Sequence, residues 1–578
     1  MTLEEQARAG WAALMGGGGA QDRTAGQPQQ ASLPAPARVS AVAGRAVVAV
    51  DWEPVPGAIG YAVHRAASPQ GPFEVVDHGG GDVLAVPHGP YADTTDGRGG
   101  WYAVAALQTV TAIGPLSDPV TVSHTDESDV VVTIGSEARP LHRIWQAMIG
   151  SEHLSHLLST DETGGRPIGA ELREALRRVH DELGVKTVRA HHILGDDVGV
   201  AGHDFTRLDQ IYDTLRELGL APVVEFGFMP RDLARDPGRT VFTYRGIISP
   251  PRDWDRWAGL IRAFTAHVVE RYGLDEVRDN WWFEVWNEPN LSVFWSGTPA
   301  EYWRLYEVTA QAVKDVDPSL RVGGPATAAV GWVEQQPPGD FVSTHVYGTI
   351  PLDVRPLAGD RPILWTEWGV TATHGSDVND SVFAAAFLLK GMHSAAGRMH
   401  ALAPWVASDH FEELGRPTRL LHGGFGLLTV GNLAKPKFWA LSLAERLGPG
   451  ELPVTMTGDA SLITAWASRY DDGSLGILLC NSTLDHSKVK GSPDLARTIR
   501  IRPPITKPHL LRVWRVDRTH GNITTHFTGE WPNPDQWTAL HAADHLPEAE
   551  PPRRTAPGTD VILDLPNPGI AFLTLRPL

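Results

Sequence analysis

The sequence predicts an α/β chain built as one (β/α)8 TIM barrel with a β-sandwich on either side. Three observations carry this. Over residues 126–448, apolar runs of strand length alternate with segments of helical period, the pattern of a parallel sheet covered by crossover helices. Residues 34–125 and 449–578 consist instead of short β runs separated by Pro- and Gly-rich turns at sandwich spacing. The 578 residues accommodate three or four units at roughly 150 residues each.

Residues 1–33 hold a Gly16–Gly19 tract and a Gln/Ala/Pro-rich run that leads into Pro-Ala-Pro-Ala, which reads as a flexible leader and linker. Strand runs follow at VSAVA, AVVAVDW, GYAVHRA and WYAVAAL. Trp52 closing one run, Tyr61 opening the next and Tyr102 in the last are placed so that residues 34–125 resemble a fibronectin type III module. In the barrel segment the first strand is expected near Ile144–Ile149 and the last over Ala401–Asp409. VKTVRAHHI, APVVEFGF, WWFEVWN, LRVGGPA, DFVSTHVY and RPILWTEW lie between them. Helices are expected over Ile168–Leu183, Thr206–Gly219, Trp254–Tyr272 and Ala300–Val316. Asp253 and Thr298 stand at N-cap positions, and Gly219 and Gly273 at C-terminal ends. Helical pattern is weakest between the fifth and seventh strands. Residues 449–578 return to β runs (ASLITAWAS, SLGILLCN, HLLRVWRVD, AFLTLRP), with no repeat of solenoid period.

Lys plus Arg number 50 against 68 Asp plus Glu, a net charge of −18, so neither nucleic acid nor an anionic membrane is an expected partner. The longest apolar run, Val382–Leu389, is far below the roughly 18 residues a membrane span needs. The single cysteine, Cys480, excludes an intramolecular disulfide and a Cys-rich metal site; in its apolar strand it reads as an inert buried thiol. Glu4 and Glu5 stand where a signal peptide is basic, and Trp11–Met15 is too short for its apolar core. A cytoplasmic location is therefore expected. The 20 tryptophans suit sugar rings, although most indoles in any protein are core.

Barrel chemistry collects at the C-terminal ends of the strands. Those ends carry Arg189 and His191, Glu225, Asn287 and Glu288, His345 and Tyr347, Glu367 and Trp368, then Trp405 and Asp409. Glu288 and Glu367 close the fourth and seventh strands, on opposite sides of one mouth. Carboxylates so paired serve glycoside hydrolysis, one protonating the leaving oxygen while the other attacks or activates water. A lone Glu at a strand end is ordinarily a cap or a salt bridge. The signal lies in the conjunction of Trp286-Asn287-Glu288-Pro289 with Thr366-Glu367-Trp368, with His345 and Tyr347 between them. Asn287 beside the acid can donate to a sugar 2-hydroxyl. A carbohydrate-binding protein without turnover is the rival from another class, and the intact carboxylates argue against it.

Phe283–Trp295 (FEVWNEPNLSVFW), followed by a helix and Asp317–Ala328 (DPSLRVGGPATA), resembles glycoside hydrolase family 39, closer to its β-xylosidase branch than to its α-L-iduronidase branch. Arg189–Val200, Val223–Pro230, Thr240–Gly246, Phe341–Gly348, Ile363–Gly369 and Ser408–Pro436 resemble further family blocks in the same order, over residues 140–448. The resemblance implies a retaining, exo-acting hydrolase with Glu288 as acid/base and Glu367 as nucleophile. A covalent glycosyl-enzyme intermediate and carboxyl groups about 5–5.5 Å apart are implied with it. It also implies that Asn287 holds the 2-hydroxyl, His191 and His345 line the sugar subsite, and Tyr347 bonds the nucleophile or the ring region. Trp405 is then expected to stack on the sugar, and Glu412 and Glu413 to bind distal hydroxyls. The implied partner is an oligosaccharide or glycoside ending in a neutral sugar, with β-D-xylose expected. α-L-Arabinofuranoside, arabinopyranoside, β-galactoside and α-L-iduronide stay open. No cofactor or metal is implied, and a homo-oligomer is compatible.

The chain departs from the pattern in places. Ala190-His191-His192 stands where xylosidases often show Phe-His-Gly, and the block after the eighth strand reads PWVASDHF, so one wall has changed. Tyr347 stands where the iduronidase branch tends to place a basic residue, which disfavours a uronic acid. Adjacent His191 and His192 point to opposite faces of a strand and do not easily share a metal. His142, His153 and His156 are open between substrate contacts and loop residues. Asp196-Asp197 lacks the alternating ligands of a calcium loop, and Gly323-Gly324-Pro325 lacks the Lys-Ser/Thr of a phosphate loop.

Overall fold

The computed structural model describes residues 29–95, 99–124 and 129–578; the leader expected over residues 1–33 falls mostly outside them. Eight strands pair in parallel and in chain order: β1 (Met148–Ser151), β2 (Thr187–Ala190), β3 (Ala221–Glu225), β4 (Trp282–Glu284), β5 (Val322–Thr327), β6 (Val342–Tyr347), β7 (Ile363–Gly369) and β8 (Ala401–Pro404). The amide of Ala407 donates to Gly150 O at 2.9 Å, bringing the chain after β8 back onto β1. Two boundaries differ from expectation. Ile144–Gln146 is a 3-10 turn rather than strand, and β8 stops at Pro404, which has no N–H to carry the ladder further.

Six long helices cover this segment: α1 (Ile168–Leu183), α2 (Thr206–Glu217), α3 (Trp254–Tyr272), α4 (Pro299–Val316), α5 (Val382–Ala395) and α6 (Pro436–Glu445). Leu172, Ala175, Leu176, Val179 and Leu183 recur at three- and four-residue spacing and form the buried stripe of α1. Asp253 accepts from the amides of Asp255 and Arg256, Thr298 forms a capping box with Glu301, and Gly273 ends α3 at φ 93°. Between β5 and β7 the described helical elements are two 3-10 turns and the short helix Arg355–Ala358, the stretch where helical pattern is weakest. The apolar run in α5 is buried on every side. Trp368 stacks on Phe387, and across the helix the Cys480 thiol donates to Ala386 O at 3.4 Å.

Residues 37–124 form a two-sheet β-sandwich. The C-terminal sandwich has a four-stranded and a seven-stranded sheet, and its composition corrects the boundary expected at residue 126. Val130–Ile134 pairs with Val454–Thr457 and with Arg497–Arg502, and Arg139–Pro140 pairs with Gly450–Leu452. The chain thus lays down two strands of the last sandwich, one in each sheet, before entering the barrel. Inside the barrel Met148, Val223, Phe341, Leu364, Ala401 and Ala403 form an apolar floor. Above that floor the barrel holds buried charged and polar groups, among them Arg189, Glu225, Glu284 and His345, and there the chemistry sits.

Candidate active site

Alternation along β2 sends Arg189 and then His191 inward, while Val188 and Ala190 join the core beneath the helices. Arg189 is fully buried and uses its whole fork. Nε donates to Glu284 Oε2 at 2.9 Å, Nη1 to Glu367 Oε1 at 2.5 Å and Nη2 to Asn287 Oδ1 at 2.9 Å, and Nη2 also forms an ion pair with Glu225 Oε2 at 2.7 Å. Burial opposes that charge, but the three carboxylates outweigh it and hold the guanidinium well above its ordinary range. His191 Nδ1 shares Glu225 Oε2 at 2.7 Å; burial lowers the imidazole's pKa, but the charge and hydrogen bond of Glu225, with the charge of Glu367, together raise it above its ordinary value. Because Arg189 occupies Asn287 Oδ1, Nδ2 is left as that side chain's donor.

Glu367, two residues before the end of β7, has Tyr347 Oη donating to its Oε2 at 2.8 Å and Arg189 on Oε1. Thr366 and Glu367 are adjacent, yet both reach the interior. Register shifts at Thr344/His345 and at Trp365/Trp368 account for this, since a bulge re-aims successive side chains. Opposite, Glu288 sits at φ 42° and Trp286 at φ 71°, left-handed conformations that cost roughly 1–3 kcal/mol each. The amide of Glu288 bonding Ala326 O and Trp286 Nε1 bonding Phe294 O, both at 2.9 Å, hold that turn.

The hydrogen-bond chain behind Glu288 assigns a proton. Thr366 Oγ1 donates to Glu284 Oε1 at 2.8 Å, so its lone pair accepts from His345 Nε2–H at 3.0 Å. Burial lowers the His345 pKa to about 4, so the ring is neutral and Nδ1 is bare. With Nδ1 bare, the 2.9 Å contact from Nδ1 to Glu288 Oε1 is the geometry in which a protonated Glu288 would donate to the ring. One oxygen each of Glu288 and Glu367 lie within 4.8 Å of one another.

A narrow pocket opens between them, lined by His191, Phe242, Asn287, Glu288, Phe294, Tyr347, Glu367, Ala372, Trp405, Glu413 and Phe425. Seven of the nine expected site residues thus share one pocket. Two do not. His345 is fully buried behind Glu288 and touches its carboxyl group instead of the cavity. Glu412 pairs with Arg416 Nε at 2.6 Å and with His156 Nε2 at 3.4 Å, since the chain turns there and only Glu413 faces inward. Trp286 and Trp368 are core indoles, whereas Trp405 is a wall residue, 4.7 Å between centroids from His191. Asp409 belongs to a buried ion pair with Lys435. Thr366 and Glu284 escaped sequence reasoning; the signal available was a Glu inside an otherwise apolar strand.

His153, His156 and Glu412 bring ligand-type atoms within 4.8 Å of one another. Glu152 Oε1 faces His153 Nδ1 at 3.3 Å and Arg416 holds Glu412, so these pairings account for the cluster without an ion. A wider, more open hollow lies at the N-terminal end of the barrel beside Met148, Thr187, Ala221 and Leu364. It lies at the opposite end from the paired carboxylates, the end where conserved barrel residues serve stability rather than catalysis.

Burial and the charges of Glu152, Glu367 and Glu288 push the Glu413 carboxyl well above its ordinary 4.5. Folded, it keeps a proton that the unfolded chain loses, so it lowers stability progressively as pH rises above 4.5. Glu413→Gln is expected to melt like the parent at about pH 4 and higher than it at about pH 8. Its KM should rise several-fold as a pocket contact is lost. A melting difference independent of pH would contradict the assignment.

Carboxylates facing each other across an aromatic-walled pocket, at the C-terminal mouth of a (β/α)8 barrel, define a glycoside hydrolase. The chain belongs to glycosyl hydrolases family 39, whose model matches residues 128–355 and 353–559. A β-xylosidase of Geobacillus stearothermophilus is 31% identical over 480 residues, 73% of this chain and 89% of that protein. A β-xylosidase of Caldicellulosiruptor saccharolyticus is 33% identical over 360 residues, 55% of this chain and 71% of that one. The solved structure of a family 39 β-xylosidase from Caulobacter crescentus superposes with a TM-score of 0.65 at 30% identity, covering 77% of this chain and 100% of that one. Among the described residues no helix is long and apolar enough to cross a membrane.

Proposed function

We propose that the protein is a retaining exo-glycosidase that releases a terminal β-D-xylose from short oligosaccharides or glycosides. The observation that carries this is the pair of oxygens of Glu288 and Glu367 within 4.8 Å. Retaining enzymes hold their carboxyl groups about 5–5.5 Å apart, whereas inverting ones need about 6.5–9.5 Å to admit water. In this reading Glu288, protonated against His345, gives its proton to the leaving oxygen. Glu367, held by Arg189 and Tyr347, attacks the anomeric carbon. Water then enters, and Glu288 takes its proton as the glycosyl ester breaks.

Asn287 Nδ2 donates to the 2-hydroxyl, a bond that strengthens as the ring gains positive charge. His191, Trp405 and Glu413 enclose the sugar. The small cavity suits one terminal residue, and the β-xylosidase relatives favour xylose over the other neutral sugars. Among the described residues no Arg or Lys lines the pocket, and the Arg189 guanidinium behind it is engaged by the protein's own carboxylates, which disfavours a uronic acid. A panel of nitrophenyl glycosides tests the sugar. The β-D-xyloside is expected to show the highest kcat/KM. Any other glycoside exceeding it by about tenfold, 1.4 kcal/mol of transition-state preference, would overturn the assignment of xylose.

A further inference from the structure

We propose that Asp82, in the N-terminal sandwich, is a positioning residue for the nucleophile, acting through Tyr347. This rests on the reading of Glu367 as nucleophile. The argument starts from an unfinished ladder. β5 pairs with β6 only as far as Thr344, while β7 continues beside β6 to Tyr347 and Gly369. On the β5 side the amide and carbonyl of Tyr347 are thus left without a strand, and buried backbone groups need partners.

Asp82 supplies both. Its amide donates to Tyr347 O at 2.9 Å, and its Oδ2 accepts from Tyr347 N at 3.1 Å. The contact is extended by neighbours. Gly348 lies at φ 71°, and a Cβ there would stand 1.6 Å from Gly80 O, so this approach is open only to glycine. Thr349 Oγ1 donates to Ala85 O at 2.7 Å, and the Asp353 amide to Ile59 O at 2.8 Å. A module outside the residues matched by the family model therefore finishes the strand that carries the Tyr347 hydroxyl to Glu367 Oε2, at 2.8 Å. Acting on a catalytic carboxylate through one hydrogen bond, such a support governs orientation more than affinity.

The test uses the full chain and whichever nitrophenyl glycoside it cleaves fastest. Asp82→Ala is expected to lower kcat about tenfold with KM within about twofold, because orientation of the attacking oxygen is lost while the pocket remains. Asp82→Asn keeps an acceptor oxygen and should restore most of that loss. In a Tyr347→Phe background the further change Asp82→Ala should cost nothing more, since the route through the hydroxyl is already cut. Unchanged kcat in a folded Asp82→Ala protein would overturn the proposal, as would independent, multiplicative effects in the double variant. Retained activity in Glu367→Ala would instead overturn the nucleophile reading itself, so the two failures are distinguishable.

Discussion

Glu367→Ala is expected to lose turnover by at least about four orders of magnitude, the scale on which removing a covalent nucleophile acts. Binding should survive, because Asn287, His191, Trp405 and Glu413 stay in place around the sugar. The fold should survive too. Removing one of the three carboxylates around Arg189 leaves Glu225 and Glu284 to hold it, so no buried charge is stranded. Azide small enough to enter the vacated volume should restore turnover and yield a glycosyl azide of inverted configuration. Azide added to Glu288→Ala should attack after the glycosyl ester has formed and give the retained product, since Glu288 stands on the leaving-group side. Stopped assays with chromogenic glycosides and NMR of the azide products check both. Full activity in Glu367→Ala would contradict the assignment.

Arg189→Met is the second large effect. Three buried carboxylates and the Asn287 amide converge on this one guanidinium. Without it they are left facing one another, and breaking a buried ion pair from one side costs about 3–5 kcal/mol. Activity should fall at least about a hundredfold, because Glu367 loses the partner on Oε1 and Asn287 the bond that orients its donor. Arg189→Lys keeps the charge but not the planar fork, which one ammonium cannot reproduce across four acceptors. It should retain most of the stability and little of the activity. Chemical denaturation and kcat/KM on the two variants separate these effects. A lysine variant of parental activity would show that charge alone suffices and contradict the positioning role.

Much of this architecture was legible because its signals are local. Strands buried on both faces read as continuous apolar runs, and Asp253, Thr298 and Gly273 mark helix ends by chemistry that needs no partner element. The carboxylates were legible because both lie near the C-terminal ends of apolar strand runs. What stayed hidden depends on contacts between distant parts. Val130–Ile134 looks like any β run, and only its pairing with strands after residue 450 shows which sheet it serves. His345 was expected in the sugar subsite, yet the proton chain through Thr366 and Glu284 puts it behind the acid. Glu412 and Glu413 are neighbours in sequence, and no spacing rule tells which of the two faces the pocket. Asp82 sits in a glycine-rich loop without a motif. Its place beside Tyr347 exists only because β5 ends early.

The central claim is a covalent bond between the sugar and Glu367. Incubation with a dinitrophenyl 2-deoxy-2-fluoro-β-xyloside, followed by peptide mass spectrometry, tests it most directly. Fluorine at C2 slows both steps, and the good leaving group lets only the first proceed, so the intermediate accumulates. The account predicts one fluoroxylosyl group per chain, on the peptide containing Glu367. Label on Glu288, or none while the parent xyloside is turned over, would contradict it.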